Sequence, residues 1–253
     1  MIFDAKPAII GHRGYGAGHG GRYSENTLDA FAAAARSGIP WVELDVRRSI
    51  DGTLMVWHDP LTRSGAAIVG SAAAALAAEG IASLPEVLAA LPASVAVDVD
   101  VKTVLEDAIH SPGQRTHALV AEFLLEYQGT RQFLITSFDV SLPCYLADRE
   151  VRSDRTSLGL LAAVRSSAGP AISAVANLGL DAVCLHTSSL HPGNLREGAR
   201  NAVETAHRAG LEIMVWTPEP LQAVEFDDAG VDAVCVDDIP GTQAALGQHG
   251  RDG

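Results

Sequence analysis

Two histidines and a set of carboxylates at alternating positions are the residues of this 253-residue chain whose types and spacing could do chemistry. In Val42-Glu43-Leu44-Asp45-Val46 the side-chain period of a strand puts Glu43 and Asp45 on one face and Leu44 on the other. In Val97-Asp98-Val99-Asp100-Val101-Lys102 the same period groups Asp98, Asp100 and Lys102, while the valines face a helix layer. With Arg13, these four carboxylates meet two cations, leaving a net charge of −2 in a desolvated interior. Uncompensated charge there costs several kcal/mol per ion, and a divalent cation would cancel it. An all-oxygen donor set, with no cysteine and no histidine pair one helical turn apart, favours hard Mg2+ or Ca2+ over zinc. The plainer alternative is a structural ion-pair network.

His12 and Arg13 directly follow the first apolar run, and His58-Asp59-Pro60 ends the hairpin that follows the second. A histidine pair flanking a carboxylate cluster is suited to general acid and base work. Trp216, at the end of a later apolar run, is either a buried barrel-end aromatic or a substrate wall. His19 and His186 could touch substrate or pack structurally, and His110, His117, His191, His207 and His249 read as surface, turn or helix positions.

The elements that must position these residues are short β-branched runs alternating with longer helical stretches, the pattern of a parallel sheet with crossover helices. Eight strands are expected: Ala8 to Gly11, Trp41 to Val46, Val95 to Val101, Phe133 to Ser137, Ser157 to Leu161, Ala182 to Leu185, Glu212 to Trp216 and Ala233 to Val236. Helices are expected at Thr27 to Ser37, Leu84 to Leu91, His117 to Tyr127 and Leu195 to Ala209, with Gly38, Gly210 and Gly230 as left-handed caps. Arg47 to Trp57 reads as a hairpin turning at Asp51-Gly52, and Leu61 to Ala82 as a loop or small helical excursion. The architecture predicted is a (β/α)8 TIM barrel, one domain over 1–253, with the hairpin and a short insertion after strand two at 47–82.

Composition supports a globular α/β chain, 47% hydrophobic with 24 glycines. The net charge of −13 argues against nucleic acid and against stable association with an anionic membrane. Cys144, Cys184 and Cys235 are widely spaced among apolar neighbours and are expected to be buried free thiols, as in a reducing compartment. The N-terminus carries no secretory pattern, and the alanine-rich stretches 32–35 and 72–78 are too short to span a bilayer, so a cytoplasmic location is expected.

The succession HRG, SENTLDAF and ELDVRRSIDGTLMVWHDP, all within residues 12–60, resembles the glycerophosphodiester phosphodiesterase family, whose signature is HRG, ENT, ExD and HD in that order. The resemblance continues through SLPEVLAALP, DVDVK, ITSFD, GLEIMVWT and GVDAVCVDDIP and so covers nearly the whole chain. It implies a (β/α)8 barrel, His12 and His58 as the general acid and base pair, with His12 assigned here as the base and His58 as the acid, and one divalent cation on Glu43, Asp45 and Asp100. It also implies that Arg13 and Lys102 hold the phosphodiester oxygens and that Asn26 lies near the site. The substrate implied is a small glycerophosphodiester, cleaved to glycerol phosphate and an alcohol by water or by a neighbouring substrate hydroxyl.

Three departures stand out. Asp100 replaces the glutamate usual two residues before the lysine, with Asp98 facing the same way as a substitute. The glycine-rich loop from Tyr15 to Tyr23 replaces a short connection and reads as a lid. The short Leu61 to Ala82 excursion leaves less material to recognise a large alcohol. Two other readings keep the barrel: a lipid-directed enzyme like sphingomyelinase D or phosphatidylinositol-specific phospholipase C, disfavoured by the acidic charge, and a catalytically silent phosphate-ligand-binding barrel.

Overall fold

The β-branched runs pair as their alternation predicts. The structure, a computed structural model, describes residues 1–16, 23–190 and 195–252. Eight parallel strands close into a barrel: β1 (Ala8–Gly11), β2 (Trp41–Arg48), β4 (Ala96–Val101), β5 (Phe133–Thr136), β6 (Thr156–Leu161), β7 (Ala182–His186), β8 (Glu212–Trp216) and β9 (Ala233–Val236), with β1 pairing both β2 and β9. A short β3 (Leu54–Val56) adds to β2 antiparallel, in the register Val46↔Val56. Gly52, at φ 82°, makes the turn that lets β2 double back.

Helices cover the outside: α1 (Leu28–Arg36), α2 (Ala73–Ala78), α3 (Leu84–Ala90), α4 (Thr116–Glu126), α5 (Ser141–Asp148), α6 (Ala168–Asn177), α7 (Leu195–Arg208), α8 (Pro220–Ala229) and α9 (Ile239–Asp252). The Thr27 hydroxyl caps α1, accepting from the Ala30 N–H at 3.3 Å, and α3 opens on a reciprocal Ser83/Glu86 capping box. The excursion after β3 is partly helical: α2 lies in it, and Met55, Ile68, Leu76 and Ile81 form a small core of their own. Cys184 and Cys235 are free and buried, but Cys144 is only partly buried, because α5 carries it at the margin of the helix layer.

Strand alternation divides the core in two. Val42, Leu44, Val46, Val97, Val99 and Val101 pack outward against helix residues such as Phe31, Leu88, Val203 and Phe226. Inside, Ala8, Trp41, Ala96, Ala182 and Ala233 form the lower filling, which the chain's start closes. Phe3 is fully buried there with its ring edge-on to Trp41 at 5.2 Å, and the Glu212 carboxylate accepts the Ile2 N–H at 2.6 Å. Because that end is filled with apolar side chains, the inward acids lie towards the strand C-termini. Among the described residues no helix is long and apolar enough to cross a membrane.

Candidate active site

The register sets Glu43 beside Asp98 and Asp45 beside Asp100, with Thr136 of β5 next to Asp100. One oxygen each of Glu43, Asp45 and Asp100 lies within 4.8 Å of the others. All three residues are buried and line a cavity of about 160 Å³ together with His12, Arg13, His58, Lys102, Phe138 and Trp216. The expected catalytic, phosphate-holding and metal-ligating residues therefore line one space, and Asn26 meets it through Asp45. Asp98 also lines it, but its carboxylate accepts the Thr136 hydroxyl at 2.8 Å and stands outside the three-carboxylate cluster.

Asp45 is the most heavily partnered acid. Lys102 Nζ approaches it at 3.0 Å, Arg13 Nε at 3.3 Å, and the Asn26 amide donates to it at 2.7 Å. Burial alone would raise its pKa, but Lys102, Arg13 and His58 together with the Asn26 bond hold it below the usual range. Glu43 goes the other way: burial, then Asp45, Asp100 and Asp98, push its carboxyl far up against the pull of Lys102. Burial also lifts Asp100 to about 6 and Asp98 to about 8. Lys102 bonds Asp100 Oδ2, whereas Asp100 Oδ1 is buried without a hydrogen-bond partner. An orphaned carboxylate oxygen beside two more oxygen donors is the chemistry a hard divalent cation fits.

The loop from β1 places His12 by close backbone approach. A Cβ on Gly11 would sit 2.0 Å from the Gly14 carbonyl oxygen, and one on Gly16 only 1.9 Å from that of Asp237. Arg13 is left-handed at φ 51°, a turn that aims its N–H at Glu43 Oε2, 2.7 Å away. Asn26 and Thr217 are left-handed as well, both at φ 56°. Such conformations cost about 1–3 kcal/mol each and gather where a site demands them. The Arg13 side chain is fixed by Glu25 at 2.9 Å.

Each histidine has a carboxylate on Nδ1. His12 donates to Asp237 at 2.7 Å and His58 to Asp59 at 2.8 Å. An ionised carboxylate can only accept, so both rings carry hydrogen on Nδ1 and leave Nε2 for proton exchange. His12 Nε2 lies 4.0 Å from Glu43 Oε2. Trp216 packs edge-on to His186 at 4.4 Å and to Phe138 at 5.9 Å, and its indole N–H is buried without a partner.

Of the remaining histidines, His117, His207 and His249 pair with Asp139, Asp232 and Asp228 in structural positions. His19, His191 and residues 17–22 of the expected lid lie outside the described residues. The ends of that loop meet, with the Tyr15 and Tyr23 rings 5.3 Å apart. Sequence reasoning missed Asp237, Glu25 and Phe138. All three lie within motifs it had quoted: Glu25 is the glutamate of ENT, Phe138 the phenylalanine of ITSFD, and Asp237 stands in the closing segment.

The model of the glycerophosphoryl diester phosphodiesterase family matches residues 12–240. The chain belongs to that family. Short segments of it align with curated members: 46% identity over 56 residues with a glycerophosphocholine phosphodiesterase of Schizosaccharomyces pombe, 21% of this chain and 5% of that protein. A glycerophosphodiester phosphodiesterase of Bacillus altitudinis is 47% identical over 51 residues, 20% of this chain and 19% of that one. Each match thus spans only a small part of the relative. The barrel itself resembles that of an Oleispira antarctica phosphodiesterase solved with its product sn-glycerol-3-phosphate, at a TM-score of 0.75 and 22% identity over 95% of this chain and 97% of that one. The glycerophosphodiester phosphodiesterase of Thermotoga maritima gives a TM-score of 0.70 at 22% identity, with 95% and 97% covered. At such identity the structural likeness speaks for the fold.

Proposed function

We propose that the protein hydrolyses glycerophosphodiesters to a glycerol phosphate and an alcohol, with one divalent cation, Mg2+ or Ca2+, held by Glu43, Asp45 and Asp100. The observation that carries this reading is the three-carboxylate cluster lying in one cavity with two histidines, each tied by Nδ1 to an acid. Family membership and the names of the aligned relatives support the substrate class, as does the glycerol phosphate bound by the Oleispira enzyme.

A phosphodiester resists water because its own charge repels the nucleophile and its leaving alkoxide is poor. His12, with Nδ1–H on Asp237, presents a basic Nε2 that takes the proton of the nucleophile, either water directly or a neighbouring substrate hydroxyl whose cyclic phosphate water then opens. His58, protonated and oriented by Asp59, gives a proton to the departing oxygen. Arg13 and Lys102, both lining the cavity, draw the non-bridging oxygens into place. Trp216 supplies an apolar wall and an indole N–H for a substrate oxygen. The chemistry a bound divalent cation supplies is Lewis-acid stabilisation of charge on the phosphoryl group.

Turnover of a panel of glycerophosphodiesters, with Mg2+ and Ca2+ compared, tests the proposal. EDTA is expected to abolish activity, and His12→Ala or His58→Ala to lower kcat by about 100-fold or more. Undiminished turnover in either variant would refute the acid and base assignment, and full activity in EDTA would refute the metal.

A further inference from the structure

Beside the catalytic cavity lies a second hollow, of about 310 Å³, that the chemistry above leaves unused. Its walls grow directly out of catalytic segments. Pro60 and Leu61 follow His58, and Val104, Leu105 and Glu106 follow Lys102. Leu105 is 88% exposed and Leu61 50%, so the lip is apolar and open among the described residues. Arg47 completes the lining. It follows Asp45 by two residues on β2 and so shares that strand's inward face, and its Nε donates to the His58 carbonyl at 2.7 Å. Among the described residues the guanidinium makes no close ion pair, although the charges of Asp45, Asp59 and Asp100 act on it from nearby.

This bond alone would make Arg47 a clamp on His58. A clamp needs one donor, however, and a half-buried guanidinium offers a planar fork besides, the geometry that takes a carboxylate through two parallel bonds. His58 lines the catalytic cavity and is assigned to the departing oxygen in the mechanism above, and the segment that follows it, Pro60 and Leu61, lines the hollow. The hollow there presents a cation inside, an anion, Glu106, exposed at the edge, and aliphatic walls between them.

We propose that this hollow is the leaving-group subsite and that it selects an alcohol bearing a carboxylate beside an ammonium, as an amino-acid alcohol does. The carboxylate pairs with the Arg47 fork, the ammonium lies towards Glu106, and the short carbon skeleton rests on Leu61, Val104 and Leu105. A quaternary ammonium head without a carboxylate would leave the fork empty and face a like charge. The inference rests on the phosphodiesterase reading and adds to it the chemistry of the alcohol.

The test is the ratio of kcat/KM for glycerophosphoserine to that for glycerophosphocholine, which cancels any change acting through His58 on both diesters alike. Arg47→Gln is the discriminating variant, because the glutamine amide nitrogen falls where Nε was and can still reach the His58 carbonyl, while the charged fork is gone. The wild-type ratio is expected to exceed one and to fall at least about fivefold in Arg47→Gln and in Leu105→Asp, which places a repelling charge at the lip. A smaller change in both variants, equal losses on both diesters, or a wild-type preference for the choline diester would overturn the subsite. Failure of the wild-type protein to hydrolyse either diester would overturn the phosphodiesterase reading itself.

Discussion

Glu43 and Asp45 sit two residues apart on one strand and are driven in opposite directions. Asp45 keeps its charge because Lys102, Arg13 and Asn26 converge on it, whereas burial and the neighbouring acids press a proton onto Glu43. The histidines show the same dependence on what touches them. Asp237, 225 residues away in sequence, fixes which nitrogen of His12 is basic. Asp237→Asn keeps the shape but can offer its carbonyl or its amide to the ring, so the tautomer is no longer imposed. It is expected to lower kcat by at least about tenfold with little change in melting temperature, checked by steady-state kinetics beside a circular-dichroism melt. Activity within about twofold of wild type would remove Asp237 from the mechanism. His12 and His58 stand out in the sequence because each falls just after a recognisable strand or hairpin, but Asp237 cannot be read there, since nothing local signals its partner.

At the scale of elements, the strands follow their patterns closely and several helices do not. α6 and α9 carry Gly-Pro and Pro-Gly pairs, which read as turn signals, yet these fall in the first helical turn, where a missing N–H costs nothing. One connection depends on a buried ion pair. Arg48, at the end of β2, donates from Nε to Asp107 at 2.9 Å, and Asp107 also accepts the Thr116 N–H at the start of α4. Burial would raise the Asp107 carboxyl, but the Thr116 and Arg48 bonds hold it below the usual range. A depressed carboxyl gives stability that is present above its unfolded pKa, about 3.9, and lost as pH falls through the folded value. Asp107→Asn leaves the Arg48 charge buried and unpaired, which costs about 3–5 kcal/mol and is expected to lower Tm by about 6–15 °C at neutral pH. That deficit should shrink towards pH 3, and a difference in Tm independent of pH would contradict the assignment.

Across the whole molecule, a net charge of −13 coexists with a cavity proposed to take an anion. The cations that face the cavity, Arg13 and Lys102, are each pinned by acids, so the proposed phosphodiester would need further positive charge there. Because Glu43 is held far up and Asp100 near 6, the proposed divalent cation would have to displace protons to bind below neutrality. Mg2+ titrated into the protein at pH 6.5 is therefore expected to release protons and to bind more tightly as pH rises. Calorimetry in two buffers of different ionisation heat measures this, and a binding heat that does not depend on the buffer would contradict it.

By itself the sequence determined the barrel and most of the residues that line its cavity. Strand periodicity is local, and it alone decides that Glu43, Asp45, Asp98, Asp100 and Lys102 face inward while their valine and leucine neighbours face the helices. Tertiary structure alone decided which of those inward groups meet. It brought a carboxylate oxygen of Asp100 rather than one of Asp98 to those of Glu43 and Asp45, while the Thr136 hydroxyl of the next strand engages Asp98. It also brought Asp237 to His12 and opened the hollow at Arg47, between loops more than forty positions apart. Such contacts depend on strand register and barrel closure, which no short window of sequence encodes.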